Sequence, residues 1–233
     1  MPREQRIGAL RVAGRPAIVA AGGEPDLDAL AAAPADLLEL RADLFAAPTC
    51  ARILEAVARL RATGRGLVFT VRAASEGGRA MPVGLREELY RAALPLVDAI
   101  DVEIASEALV AELLPAARSA GRTVILSAHD FVATPSRDTL LGLVDAARAL
   151  GADLPKLATH TATLDDLRRL IDVTLAAGAD GVVTLGMGPL GPLSRIALPA
   201  AGSLLTYGAA GGGTAPGQTP VGELAALIGR LFP

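Results

Sequence analysis

Lysine is almost missing from this chain of 233 residues: 21 arginines stand beside a single lysine, Lys156. Biased base composition explains an arginine excess, and it leaves open what arginine cannot do at position 156. Arginine keeps its proton near neutral pH and is no amine nucleophile, whereas lysine can fill both roles. Cysteine is nearly absent too. Cys50 alone cannot form an internal disulfide, which suits a reducing cytoplasm. No apolar run reaches the roughly 20 residues that span a bilayer. The opening MPREQRIGAL has no apolar stretch of the kind a secretory signal carries. The net charge of −3 comes with no basic stripe, arguing against a nucleic-acid partner. With 52% hydrophobic residues the chain can bury a large core, which excludes intrinsic disorder.

What is present is alternation. Short, nearly continuous apolar runs occupy residues 16–21, 37–44, 66–72, 99–104, 123–130, 154–160, 181–187 and 204–210. Such runs fit parallel strands buried on both faces. Helical patterns lie between them at 26–33, 50–62, 85–97, 106–121, 136–151, 163–178 and 222–232. Several open on Ser, Thr or Asp and close on Gly. A seventh helix around 194–202 reads as short and broken by Pro199, and residues 6–12 could add one small strand ahead of the others. Eight strands alternating with about eight helices predict a single (β/α)8 barrel over residues 1–233.

In such a barrel, function sits where strands end. Glu39, Arg41 and Asp43 fall there, as do Arg72 with Glu76, Asp101 with Glu103, Ser127 with His129 and Asp130, and Lys156. Charges aimed into a dry core are costly unless they are paired or used. An amine partly withdrawn from water beside Leu154 and Leu157 can attack a carbonyl. The competing account of Lys156 is a buried ion pair with a neighbouring acid. His129 ends the preceding strand, within reach of a proton next to an imine carbon. Arg41, Arg72 and Arg195 come from separate strand ends, and their guanidinium forks suit a small anionic or hydroxylated substrate; ion pairs with nearby acids are the alternative. The glycine-rich stretch 208–218 lacks G-x-G-x-x-G order and reads as a mobile lid that brings Thr214 and Gln218 over the substrate.

ELRADLF (39–45), TVRAASEGG (70–78), DVEI (101–104), SAHDF (127–131), PKLA (155–158), GPLSRI (191–196) and TAPGQ (214–218) together resemble the ordered motifs of type I 3-dehydroquinate dehydratase. The resemblance runs from about residue 16 to the end. It implies a cytoplasmic (β/α)8 barrel, commonly a homodimer, that uses no metal or organic cofactor and acts on a small carboxylate without nucleic-acid or membrane partners. The implied reaction is dehydration of 3-dehydroquinate to 3-dehydroshikimate in the shikimate pathway. It also implies Lys156 as the Schiff-base lysine, His129 as proton donor and acceptor, and Glu76 as the group that orients His129. Glu39, Arg41, Arg72, Arg195, Thr214 and Gln218 would hold the substrate. Two positions depart from the family pattern, Ala20-Ala21 and Thr159-His160. A class I aldolase or transaldolase-like barrel would also use a strand-end lysine, but would be expected to carry a phosphate nest after the seventh and eighth strands. A catalytically silent metabolite-binding barrel is a third reading, and the retention of the sole lysine at this position argues against it.

Overall fold

The computed structural model describes residues 5–12, 14–82, 84–212 and 217–232. Two short strands come first, β1 (Gln5–Ile7) and β2 (Leu10–Val12), paired antiparallel with Ile7 opposite Leu10. The segment expected to give one strand is therefore a hairpin. Gly8 makes the difference: it adopts φ +59° in the two-residue turn, and a Cβ there would lie 2.6 Å from Asp98 Oδ1.

Eight strands follow: β3 (Ala17–Gly22), β4 (Leu37–Arg41), β5 (Gly66–Thr70), β6 (Ala99–Glu103), β7 (Thr123–Asp130), β8 (Leu154–His160), β9 (Val183–Met187) and β10 (Leu205–Ala209). All paired neighbours are parallel, in the order β10-β3-β4-β5-β6-β7-β8-β9. After each strand comes a helix: α1 (Leu27–Ala32), α2 (Cys50–Arg61), α3 (Leu85–Ala93), α4 (Glu107–Ser119), α5 (Arg137–Leu150), α6 (Leu164–Ala177), α7 (Gly191–Ala201) and α8 (Val221–Leu231). This is the predicted (β/α)8 barrel. The cap chemistry works as the sequence suggests. Thr163 and Asp166 form a reciprocal capping box on α6, and Gly151 closes α5 at φ +99°.

The barrel has two apolar layers. Val19, Leu37, Val68, Ile125, Leu154, Val183 and Leu205, near the starts of the strands, fill the interior floor, and Ile7 and Val12 of the hairpin plug it from below. A second layer lies between sheet and helices, with Leu38, Leu40, Phe69 and Ile100 packed on Leu60, Leu89 and Leu113. This leaves the upper interior, at the strand C-termini, for polar groups.

Among the described residues no strand ladder joins β9 to β10, and the cylinder closes there by other means. Leu204 N–H donates to Val182 O at 3.0 Å, and the Ser203 hydroxyl accepts from Thr184 N–H at 3.0 Å. Higher up, the Arg195 guanidinium spans the seam, donating to Gly186 O of β9 at 2.8 Å and to Tyr207 O of β10 at 3.0 Å.

The seventh helix corrects the sequence reading. It is neither short nor broken: α7 runs continuously over eleven residues with Pro199 inside it. A proline at 199 has no N–H to give to the carbonyl four residues back, at Arg195. The Thr206 hydroxyl of β10 supplies that hydrogen bond instead, at 3.0 Å. The helix also begins earlier than its pattern suggests, because Pro192 in its first turn fits a position whose N–H would have no helical partner.

Candidate active site

Strand alternation places the site. Side chains two residues apart share a face, and the cleft at the open end of the barrel is lined by Glu39 and Arg41 of β4, Lys156 and Ala158 of β8, and Leu185 and Met187 of β9. Ala21, His129 and Tyr207 join them from β3, β7 and β10, giving an open cleft of about 510 Å³. Lys156 stands opposite Ser127 in the β7–β8 register and His129 opposite Ala158, so lysine and histidine enter the barrel on one face, one pleat apart.

Lys156 is buried and held on three sides. Its Nζ donates to Asp101 Oδ2 at 2.7 Å, lies 3.8 Å from Glu39 Oε2, and sits 4.2 Å from the centroid of the Tyr207 ring. Asp101 is fully buried as well. Burial alone would raise its pKa, but the Arg72 and Lys156 charges outweigh that and hold the carboxyl well below the usual carboxylate range. The Ser127 hydroxyl donates to its other oxygen at 2.6 Å.

His129 and Glu76 form a dyad. Glu76 Oε2 accepts from the His129 backbone N–H at 3.0 Å and lies 2.8 Å from Nδ1. Burial, then the Arg72 and Lys156 charges, push the imidazole well below its ordinary pKa, so it is neutral. Burial and the nearby Glu103 carboxylate raise Glu76 to about 7. Phe131 stacks beside the imidazole, with ring centroids 6.5 Å apart and planes 20° from parallel.

The three arginines divide their work. Arg41 forks onto Asp43, both bonds at 2.8 Å. Arg72 is buried between Asp101 and Glu103, each at 3.0 Å, and Ser127 at 2.8 Å. Burial works against its charge, but those two carboxylates raise its pKa overall. Both arginines are thus ion-paired, the alternative the sequence left open, and both still line the cleft. Arg195 differs. Its hydrogen bonds go to two carbonyls and the Ser194 hydroxyl, no carboxylate among the described residues pairs with it, and burial alone lowers it to about 10. A buried cation at a cleft wall without a counter-charge is a seat for an anion.

Residues 21–231 match the family model of type I 3-dehydroquinase. The chain belongs to that family of hydro-lyases. A 3-dehydroquinate dehydratase of Methanococcoides burtonii is 35% identical over 229 residues, covering 94% of this chain and 96% of that protein. A solved 3-dehydroquinate dehydratase from Geobacillus kaustophilus superposes with a TM-score of 0.89 at 27% identity, over 99% of this chain and 96% of that one. A type I enzyme from Clostridium difficile with covalently modified comenic acid gives the same TM-score at 29% identity, over 100% and 99%. Among the described residues of this type I dehydroquinase no helix is long and apolar enough to cross a membrane.

Eight of the nine site residues expected from the sequence fall within the described residues, and all eight line this one cleft, Gln218 from the loop after β10 included. Thr214 lies outside the described residues. Of the two departures from the family pattern, Ala21 lines the cleft, while Thr159 is hydrogen-bonded to Thr134 at 2.8 Å and belongs to the wall. Three contributors had no assigned role in the sequence reading. Asp101 was noted at a strand end but not as the direct partner of Lys156; its buried acidic character amid AIDVEI was the available signal. Tyr207 falls in the apolar run 204–210 and Phe131 just past the run 123–130, and nothing in their local pattern separates a cleft-facing ring from a core one.

Proposed function

We propose that this protein dehydrates 3-dehydroquinate to 3-dehydroshikimate through an imine on Lys156, as a step of the shikimate pathway. One arrangement carries the reading: the chain's sole lysine is buried in the cleft, one pleat from a neutral histidine, with Arg195, unpaired by any carboxylate among the described residues, on the same cleft wall. Family membership supports the substrate, and the covalent adduct named for the Clostridium difficile relative supports a nucleophile in that fold.

The substrate carboxylate pairs with Arg195, which fixes the ring in the cleft. Lys156 Nζ adds to the C3 ketone, and loss of water from the carbinolamine gives an iminium. His129 Nε2 takes a proton from C2, and the electron pair forms the C2–C3 double bond of an enamine. The enamine nitrogen's lone pair then re-forms the C3–N iminium, the C2–C3 pair shifts to make the C1–C2 double bond, and C1 expels its hydroxyl, which takes the proton from His129 and leaves as water. A second water hydrolyses the conjugated iminium, freeing the product and Lys156. Glu76 keeps Nδ1 protonated, so that Nε2 carries the lone pair and acts as the base.

Borohydride reduction tests this directly. Incubation with 3-dehydroquinate and borohydride should label the peptide containing Lys156 one-to-one and abolish activity, while borohydride alone does little. Lys156→Arg keeps the charge and removes the nucleophile, so it should fold, stay unlabelled and be inactive. An active Lys156→Arg protein would sink the imine mechanism.

A further inference from the structure

Glu103 is fully buried at the end of β6, and its two oxygens are divided between the cleft and the helices outside it. Oε1 accepts from Arg72 Nη1 at 3.0 Å and from the Ala73 N–H at 2.8 Å. Oε2 accepts from Arg86 Nη2 of α3 at 2.5 Å and from the Ser106 hydroxyl at 3.1 Å. Arg72 lines the cleft, whereas Arg86 and Ser106 do not. Ser106 precedes α4, where a serine hydroxyl ordinarily caps the helix; here it makes no cap hydrogen bond and is spent on Glu103 and Arg86. Helix α3 also takes both main-chain groups of Val71, the residue before Arg72. Arg86 Nε donates to its carbonyl, and its N–H donates to the Tyr90 hydroxyl, each at 3.0 Å. The β5–β6 register ends at Thr70 opposite Asp101, so these side chains act where the ladder has stopped. The Arg86 side chain is 22% exposed, yet its partner is buried. An exposed pair is worth little, whereas a cation held against a buried carboxylate acts on everything that carboxylate faces.

We propose that Arg86, from outside the cleft, is a positioning residue for the reaction: it anchors the outer oxygen of Glu103 and so sets how much negative charge reaches Glu76 and His129. The proposal rests on the imine reading above, in which Glu76 holds the imidazole that moves the proton. Glu76 faces His129 of β7, Arg72 just beyond β5, and the Asp101 and Glu103 carboxylates of β6. The Glu103 charge raises it and the Arg72 charge lowers it. Arg86 is the cation on the far side of Glu103. Without it the balance at Glu76 turns more negative, and that carboxyl keeps its proton to higher pH.

Arg86→Met tests the proposal, because it keeps an apolar stem and removes the charge. At saturating 3-dehydroquinate the acid limb of kcat should move up by about half a pH unit, with the plateau above it changed by no more than about twofold. Arg86→Lys returns a charge to Glu103 without the fork that reaches Val71 and Ser106. Its limb should return to the wild-type position although its Tm, like that of Arg86→Met, stays low. Ser106→Ala is the milder probe and should move the limb the same way by less; it decides the matter should Arg86→Met fail to fold. A limb unmoved in Arg86→Met, or unmoved in Ser106→Ala where that variant decides, would overturn the proposal. So would an Arg86→Lys limb displaced as far as that of Arg86→Met, since Arg86 would then be only a strap between elements. A wild type labelled at Lys156 beside variants with an unmoved limb removes this inference alone. A wild type that neither turns over 3-dehydroquinate nor is labelled removes the imine reading with it.

Discussion

Glu76 Oε2 meets one residue twice, accepting from the backbone N–H of His129 at 3.0 Å and lying 2.8 Å from its Nδ1. While Glu76 is ionised, its oxygens can only accept. The ring must therefore donate through Nδ1, which leaves Nε2 as the acceptor facing the cleft. The tautomer is set by main-chain geometry as well as by charge.

This dyad has an unusual pH signature. Glu76 is raised from 4.5 to about 7 in the fold, so the stability it contributes is present below 4.5 and lost as pH rises through about 7. His129 is lowered from 6.5, so its contribution is present above 6.5 and lost as pH falls through its lower folded value. Below 6.5, for as long as the folded His129 stays neutral and the unfolded Glu76 ionised, the folded pair holds one proton, on Glu76, and the unfolded pair also holds one, on His129, so their slopes cancel. Glu76→Gln removes one arm: unfolding free energy, flat in the wild type from this pair, should fall on acidification below pH 6.5. Activity behaves differently. Wild-type kcat should decline below about pH 7 as Glu76 protonates, and the variant should lose that limb. Denaturant melts and rate profiles from pH 5 to 8 check both.

His129→Ala should separate imine formation from elimination. Borohydride labelling of Lys156 by 3-dehydroquinate should persist, while turnover falls by about 10²–10⁴-fold, the usual contribution of a placed acid–base group. Near wild-type turnover would remove His129 from the mechanism.

Arg195 has two tasks, so its loss should appear in two measurements. Arg195→Ala should cost about 1.5–3 kcal/mol in kcat/KM through the missing carboxylate contact, and should lower Tm by unbridging Gly186 and Tyr207. Arg195→Lys keeps a charge but has no planar fork with which to bridge two carbonyls and still meet an anion. It should recover little of either. Unchanged kinetics with a lowered Tm would make Arg195 purely structural.

Thr206→Val is a nearly isosteric change at a residue that does not line the cleft. It strands the Arg195 carbonyl that Pro199 cannot serve, and should destabilise by about 1–3 kcal/mol. At about 2–4 °C per kcal/mol for a chain of this size, the fall is readable by calorimetry. Adding Pro199→Ala restores a helical N–H for that carbonyl and should recover part of the loss.

The barrel was legible because each strand is buried on both faces and each helix on one, so hydrophobic period and run length separate the two. The strand-end rule then drew Glu39, Arg41, His129 and Lys156 to one rim, whereas Arg195, read as a strand-end residue, enters the same cleft from within α7. The failures have a common cause in partners distant along the chain. Pro199 breaks a helix only if nothing else reaches the orphaned carbonyl, and Thr206 does so from the next strand. Arg72 looked available until Asp101 and Glu103 arrived from β6.

Among the described residues the β9–β10 seam has one backbone hydrogen bond, Leu204 to Val182, and otherwise side-chain bridges, where the rest of the cylinder is held by backbone ladders, and that makes it the natural breathing line of the barrel. Amides flanking it should exchange with solvent sooner than those between β4 and β5. The cation that bridges it is the one we propose receives the ligand's negative charge, so occupancy of the cleft should slow exchange along β9 and β10 in particular. On that proposal, substrate capture and the closing of the cylinder are, at Arg195, one mechanical event.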